Sequence, residues 1–136
     1  GNTLGGSSTA SAEYAVHHLG IKVLVIMGHE GCGAVKAACQ SDEAIKKETP
    51  ALATELMSLK ECIQCEHLAR VKDPRARDRE AVVTNVRSQL AKLQNNPGIM
   101  EKVEQGKLIV IGAFYEISSG IVDFYDEVKP LGVSKA

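Results

Sequence analysis

At 136 residues the chain is long enough for one domain with a single buried core, and its 44% apolar content is that of an ordinary globular protein. Sixteen Lys plus Arg against seventeen Asp plus Glu leave a formal net charge of −1, which gives no pull toward nucleic acid or an anionic membrane. Two Phe, three Tyr and no Trp are too few for a base-stacking platform, and no apolar run nears the ~20 residues of a bilayer span.

The opening GNTLGGSST is glycine-rich and polar and reads as a loop, with Ser7, Ser8 or Thr9 placed to cap a helix. Ala12, Ala15, Val16 and Leu19 follow at helical spacing as one buried stripe, and Gly20 stops the helix. IKVLVIMG is apolar and largely β-branched without alternation, the pattern of a strand buried on both faces of a parallel sheet. HEGCGAVKAAC then leads into a helix. A longer helix is predicted from Pro50 to His67, with Leu52, Leu56, Leu59 and Ile63 on its inner face. RVKDPRARDR is charged and carries a proline, so it reads as a surface loop, after which Asp78 caps a helix that buries Val82, Val86, Leu90 and Leu93.

A short helix is expected to begin at Pro97 and to end before Gly106. KLIVIGAFYE is a second buried strand, SSG a turn, and IVDFYDE an alternating edge strand. The order predicts an α/β fold: a mainly parallel sheet flanked by helices, with an antiparallel edge hairpin. Two buried parallel strands would leave their outer edges unpaired, so the pattern also predicts a further strand or two ahead of Gly1. The chain opens at Gly1 and not at Met, so the absence of a leader carries little weight.

His29-Glu30-Gly31-Cys32 stands where a buried strand gives way to a helix, the place where open α/β sheets bind ligands. Imidazole and thiolate are both zinc donors, and a tight turn between them, eased by Gly28, Gly31 and Gly33, brings them onto one ion. The helix start also favours the Cys32 thiolate. The plainer reading is a strand-ending histidine and a small buried cysteine. Two ligands do not complete a tetrahedral shell.

Several motifs in the same order resemble β-class carbonic anhydrases. They are the GN and glycine loop, SAEYAVHHLG on the first helix, the apolar strand with GHEGCG, EAVVTNVRSQLAKL, NNPGI, and EQGKLIVIGAFYEISSGIVDF. The resemblance implies a single domain over residues 1–136 lacking its N-terminal segment, and a zinc enzyme, a carbonate dehydratase of the lyase class, that interconverts carbon dioxide and bicarbonate. It implies His29 and Cys32 as metal ligands, Zn2+ as the cofactor, and a homodimer or higher homo-oligomer. The family's other cysteine ligand stands in a C-x-D-S-R motif that these 136 residues do not contain. The resemblance therefore implies that a full zinc shell, and with it activity, needs a preceding segment; no catalytic residue is assigned within the chain. The alternative is a truncated non-catalytic homologue that binds zinc or only dimerises.

The remaining candidates are weaker. Cys62, Cys65 and His67 have the spacing of a metal site or a redox pair, yet read first as ordinary thiols on a helix, and a thiol or structural-zinc module is the third functional reading. Cys39 reads as a packing residue, His17 and His18 as surface residues, Glu30 as solvent-exposed, and Glu13 and Tyr14 as helix anchors. Sparse cysteines without a disulfide pattern point to a cytoplasmic chain, with no nucleic-acid or membrane partner.

Overall fold

The structure, a computed structural model, describes residues 1–132. Two apolar, β-branched runs pair side by side. Strand β1 (Val23–His29) lies parallel to β2 (Ile109–Glu116), in register from Val23 opposite Ile109 to His29 opposite Tyr115. Strand β3 (Ile121–Tyr125) returns antiparallel on the far side of β2, so the order is β1-β2-β3. The α/β reading and the antiparallel edge hairpin both hold.

Helix α1 (Gly6–His17) precedes β1, and six helices fill the crossover from β1 to β2: α2 (Gly33–Ala38), α3 (Asp42–Ile45), α4 (Pro50–Ile63), α5 (Cys65–Leu68), α6 (Pro74–Gln94) and α7 (Pro97–Glu104). The longest, α6, turns Val82, Val86, Leu90 and Leu93 inward, as their spacing predicts. It packs directly on β1 and β2. One apolar cluster joins Cys32, Val35, Leu59, Ile63, Val82 and Phe114; a second joins Val16, Ile26, Leu90, Ile99 and Val110.

Several expectations are corrected. The run 70–79 is not all loop: α6 begins at Pro74, and Asp73 caps it by accepting the Ala76 N–H at 2.7 Å. Proline suits a first helical position because its missing N–H is unpaired there anyway. Asp78 therefore lies inside the helix and does not cap it. Gly5, not Ser7, Ser8 or Thr9, stands at the start of α1, with Ser8 Oγ accepting its N–H at 2.9 Å. Leu19 falls beyond that helix and is 66% exposed. The tract from Pro50 to His67 breaks at Gln64, whose φ of 53° is left-handed and ends α4. Leu52 faces water.

The largest correction concerns β1. Its inward residues Ile26 and Gly28 are buried, but Val23, Val25 and Met27 on the other face are 51%, 39% and 48% exposed, as is Ile109 beside them at 47%. One face of the parallel pair is covered by α6, and no described element covers these residues on the other.

The loop ahead of α1 is tied down by two buried polar side chains of α6. Asn85 Nδ2 donates to the Asn2 carbonyl at 2.9 Å, and Gln89 Oε1 accepts the Leu4 N–H at 2.9 Å. Gln89 also donates to Asn85 Oδ1 at 3.0 Å, so the pair is internally satisfied, as buried amides need to be. Segment 1–4 is thereby held against the body of the domain.

At Gly28 the sheet lies directly against α6. A Cβ there would stand 2.3 Å from Val82 Cγ1 and 3.1 Å from Val86 Cγ2. Replacing Gly28 by Ala is expected to force β1 away from α6 at a cost of roughly 1–3 kcal/mol. Urea unfolding measures it, and an unchanged midpoint would contradict the contact.

Candidate metal site

β1 runs its carboxyl end past the sheet and turns sharply into α2. Gly31 makes the turn with φ +68°, a left-handed angle that glycine adopts without steric cost. Gly28 and Gly33 have no such angle: Gly28 is needed for its contact with Val82 and Val86, and Gly33 is simply the first residue of α2. Cys32 caps that helix.

His29 is exposed, and its Nδ1 lies 2.9 Å from the Glu30 carbonyl oxygen. A carbonyl only accepts, so Nδ1 carries the proton and Nε2 keeps the lone pair that a metal ion would use. This is the arrangement by which a second hydrogen bond fixes the tautomer of a ligating histidine.

Cys32 is 3% exposed. Its Sγ accepts a hydrogen bond from the Gly1 nitrogen at 2.9 Å. Burial pushes the thiol up, while the backbone N–H groups of Val35 and Ala34 at the start of α2 favour the thiolate. A thiolate is the form that ligates zinc. One imidazole nitrogen and one cysteine sulfur in the same turn suit zinc by donor chemistry.

Two carboxylates clamp the turn from opposite sides. Glu30 accepts the Ser118 N–H at 2.9 Å and the Ser118 hydroxyl at 3.3 Å, which ties it to the β2–β3 turn, and Arg75 NH2 stands 3.3 Å away. The Ser118 bonds, chiefly the backbone one, lower the Glu30 carboxyl; burial opposes them and Arg75 adds to them. Glu30 is thus half-buried and bonded, not the free surface residue its sequence position suggests. On the other side Asp78 Oδ2 accepts the Gly31 N–H at 2.9 Å. Its Oδ1 is buried without a hydrogen bond, 3.6 Å from Lys36 Nζ. An open cavity of about 730 Å³ beside the turn is lined by Glu30, Gly31, Lys36, Arg75, Asp78 and Phe114.

Among the described residues no three His, Cys, Asp or Glu side chains converge as a metal site would need. His29 and Cys32 share the turn, but no third donor joins them there. The Cys62–Cys65–His67 run does not form a centre either. Cys62 is buried and its Sγ accepts from Gln89 Nε2 at 3.4 Å, while His67 is exposed. His17 Nε2 bonds the Gly98 carbonyl at 3.0 Å, and His18 stacks on Tyr14 with ring centroids 4.9 Å apart. Glu13 anchors α1 by accepting from Asn96 Nδ2 at 2.7 Å, whereas Tyr14 is exposed. No described helix is long and apolar enough to cross a membrane.

The sequence profile of the carbonic anhydrase family matches residues 1–122. A carbonic anhydrase of Pseudomonas aeruginosa is 36% identical over 132 residues, which are 96% of this chain and 59% of that protein. Carbonic anhydrase 1 of Escherichia coli O157:H7 is 32% identical over 123 residues, 89% of this chain and 54% of that protein. Among solved structures, a β-carbonic anhydrase of Sordaria macrospora, described as tetrameric, superposes with a TM-score of 0.78 at 30% identity, covering 99% of this chain and 64% of that one. The chain thus spans a little over half the length of the two sequence relatives.

Asp78 touches neither donor, yet it holds the turn between them. Asp78→Ala is expected to weaken zinc binding about 10–100-fold, the usual cost of removing a group that orients ligands. Competition with a chromogenic chelator reads this, with circular dichroism checking the fold. Unchanged affinity would show that the turn keeps its shape without the carboxylate.

Proposed function

The chain belongs to the carbonic anhydrase family, and from that premise we propose that it supplies His29 and Cys32 to a zinc site which, in the whole protein, interconverts carbon dioxide and bicarbonate. The observation that carries the reading is the turn itself, where a tautomer-fixed imidazole and a buried thiol at the start of α2 stand three residues apart. Zinc, when bound, supplies Lewis acidity and a water-derived nucleophile at neutral pH. The chain's own part is to hold the ligands: Glu30 docks the turn on the hairpin, and Asp78 docks it on α6. The relatives' names support the activity, and the family resemblance supports a second cysteine from a C-x-D-S-R segment as the next ligand.

We further propose that the chain works as a homo-oligomer. The outward face of Val23, Val25, Met27 and Ile109 supports this, since so much adjacent apolar surface is seldom left to water. Light scattering at micromolar concentration is expected to give a dimer or larger; a clean monomer would contradict it.

A second reading, a non-catalytic homologue that binds zinc or only dimerises, is favoured by one observation: no third donor joins His29 and Cys32 among the described residues. Both readings expect zinc at up to one per chain, lost in His29→Ala and in Cys32→Ser. Elemental analysis decides this, and full zinc in both variants would remove the assignment. Stopped-flow hydration separates the two readings. The 136-residue chain is expected to be slow or inactive, and a chain carrying C-x-D-S-R ahead of Gly1 to be fast. Inactivity of both would favour the non-catalytic reading, and a fast rate from the shorter chain would show that its shell is complete without that motif.

A further inference from the structure

The inner face of α6 carries two amides where its apolar stripe calls for none. Among the described residues Asn85 and Gln89 are the polar side chains with 0% exposure, and they lie one helical turn apart beside Val82, Val86, Leu90 and Leu93. An aliphatic pair would fill that space, whereas a buried amide left unpaired is costly. Both amides are paired, chiefly with one short piece of chain. Asn85 Nδ2 donates to the Asn2 carbonyl at 2.9 Å and stands 3.3 Å from Asn2 Oδ1, while Gln89 Oε1 accepts the Leu4 N–H at 2.9 Å. Gln89 Nε2 is directed to Asn85 Oδ1 at 3.0 Å and Cys62 Sγ at 3.4 Å, so nothing in the pair is left over.

Segment 1–4 belongs to no helix or strand and has no backbone ladder to fix its place. Thr3 adds bonds to Glu55 and Ser8, but these are at the surface, where water competes. The firm hold comes from the two amides, which take a carbonyl at residue 2 and an N–H at residue 4, as a neighbouring strand would. What the segment lies on is the metal-site turn. The Gly1 nitrogen stands 2.9 Å from Cys32 Sγ. A Cβ on Gly1 would stand 2.7 Å from Leu59 Cδ2 and 3.2 Å from Ala34 Cβ, so the chain is pressed against α4 and the start of α2.

We infer that Asn85 and Gln89 are positioning residues for the metal site: by holding segment 1–4 on α6 they keep it over Cys32, which fixes and shields the sulfur offered to zinc. Groups around a metal site set both ligand orientation and water access, and these two reach Cys32 through the segment, not by touching it. In a chain with residues ahead of Gly1, the same hold sets where that segment enters the site. This role presupposes zinc at His29 and Cys32, whereas the placement of the segment can be read without metal.

Three measurements test it. In the unchanged 136-residue chain, the Leu4 amide should exchange with solvent at least about tenfold more slowly than in a free peptide, as a bonded, closed segment does. Asn85→Leu removes the Asn2 bond while filling the core. In the metal-free variant iodoacetamide, followed residue by residue by mass spectrometry, should alkylate Cys32 about tenfold faster, with Cys62 unchanged behind Gln89. Zinc affinity of that variant should fall about 10–100-fold. A role confined to core packing would instead speed Cys32 and Cys62 together, and that result would overturn the inference. So would a Leu4 amide exchanging at its free rate, or a freed Cys32 with unchanged zinc affinity. If the unchanged chain takes up no zinc, it is the zinc assignment that fails, and the alkylation contrast still decides whether the amides hold the segment over Cys32. The exchange measurement needs no variant and stands even if Asn85→Leu does not fold.

Discussion

The contact between Gly28 and α6 is the constraint on which the rest of the arrangement depends. With no side chain at position 28, the carboxyl end of β1 lies directly on Val82 and Val86. That closeness sets where His29 leaves the sheet and lets the next helical turn of α6 reach the bend, so that Asp78 meets the Gly31 N–H. The parallel pairing continues one step past the strand, with the Glu30 N–H donating to the Tyr115 carbonyl at 2.9 Å. A donor pair at the end of a strand is held by the sheet on one side and by a single helix on the other.

The polar groups around the turn divide their work by burial. Glu30 and Arg75 sit near the surface, where an ion pair contributes little by itself, and the two Ser118 bonds do most to hold the Glu30 carboxylate. Asp78 is less exposed, and its unbonded Oδ1 makes it the more consequential of the two clamps. Cys32 is governed by the balance between burial, which disfavours its thiolate, and backbone N–H donors at the start of α2, which favour it. The Asn85–Gln89 pair holds segment 1–4 against α6.

Much of this was legible in the sequence because it is written in local patterns. The β-branched runs locate β1 and β2, the spacing of Val82, Val86, Leu90 and Leu93 gives the inner face of α6, and the strand-to-helix junction places His29 and Cys32. What escaped is set by partners distant in sequence or by competing local signals. The charges of 70–79 masked the Asp73–Pro74 helix start, and with it the true position of Asp78. Glu30 looked free because Ser118, its chief partner, lies 88 residues away. The apolar run of β1 says that its residues prefer burial, not what covers them, so the exposure of Val23, Val25 and Met27 could not be read from it. Cys62 and Cys65 read as ordinary helical thiols despite their CxxC spacing, and the left-handed Gln64 ends α4 between them, with Cys62 buried against Gln89.

X-ray absorption at the zinc edge tests the central claim most directly, because it reads the donor atoms themselves. For zinc-loaded protein the account predicts a mixed shell, with nitrogen at about 2.0–2.1 Å and sulfur at about 2.3 Å. Cys32→Ser should lower the sulfur contribution and His29→Ala the imidazole scattering. A shell unchanged in both variants, or one built from sulfur alone, would contradict the assignment of zinc to this turn.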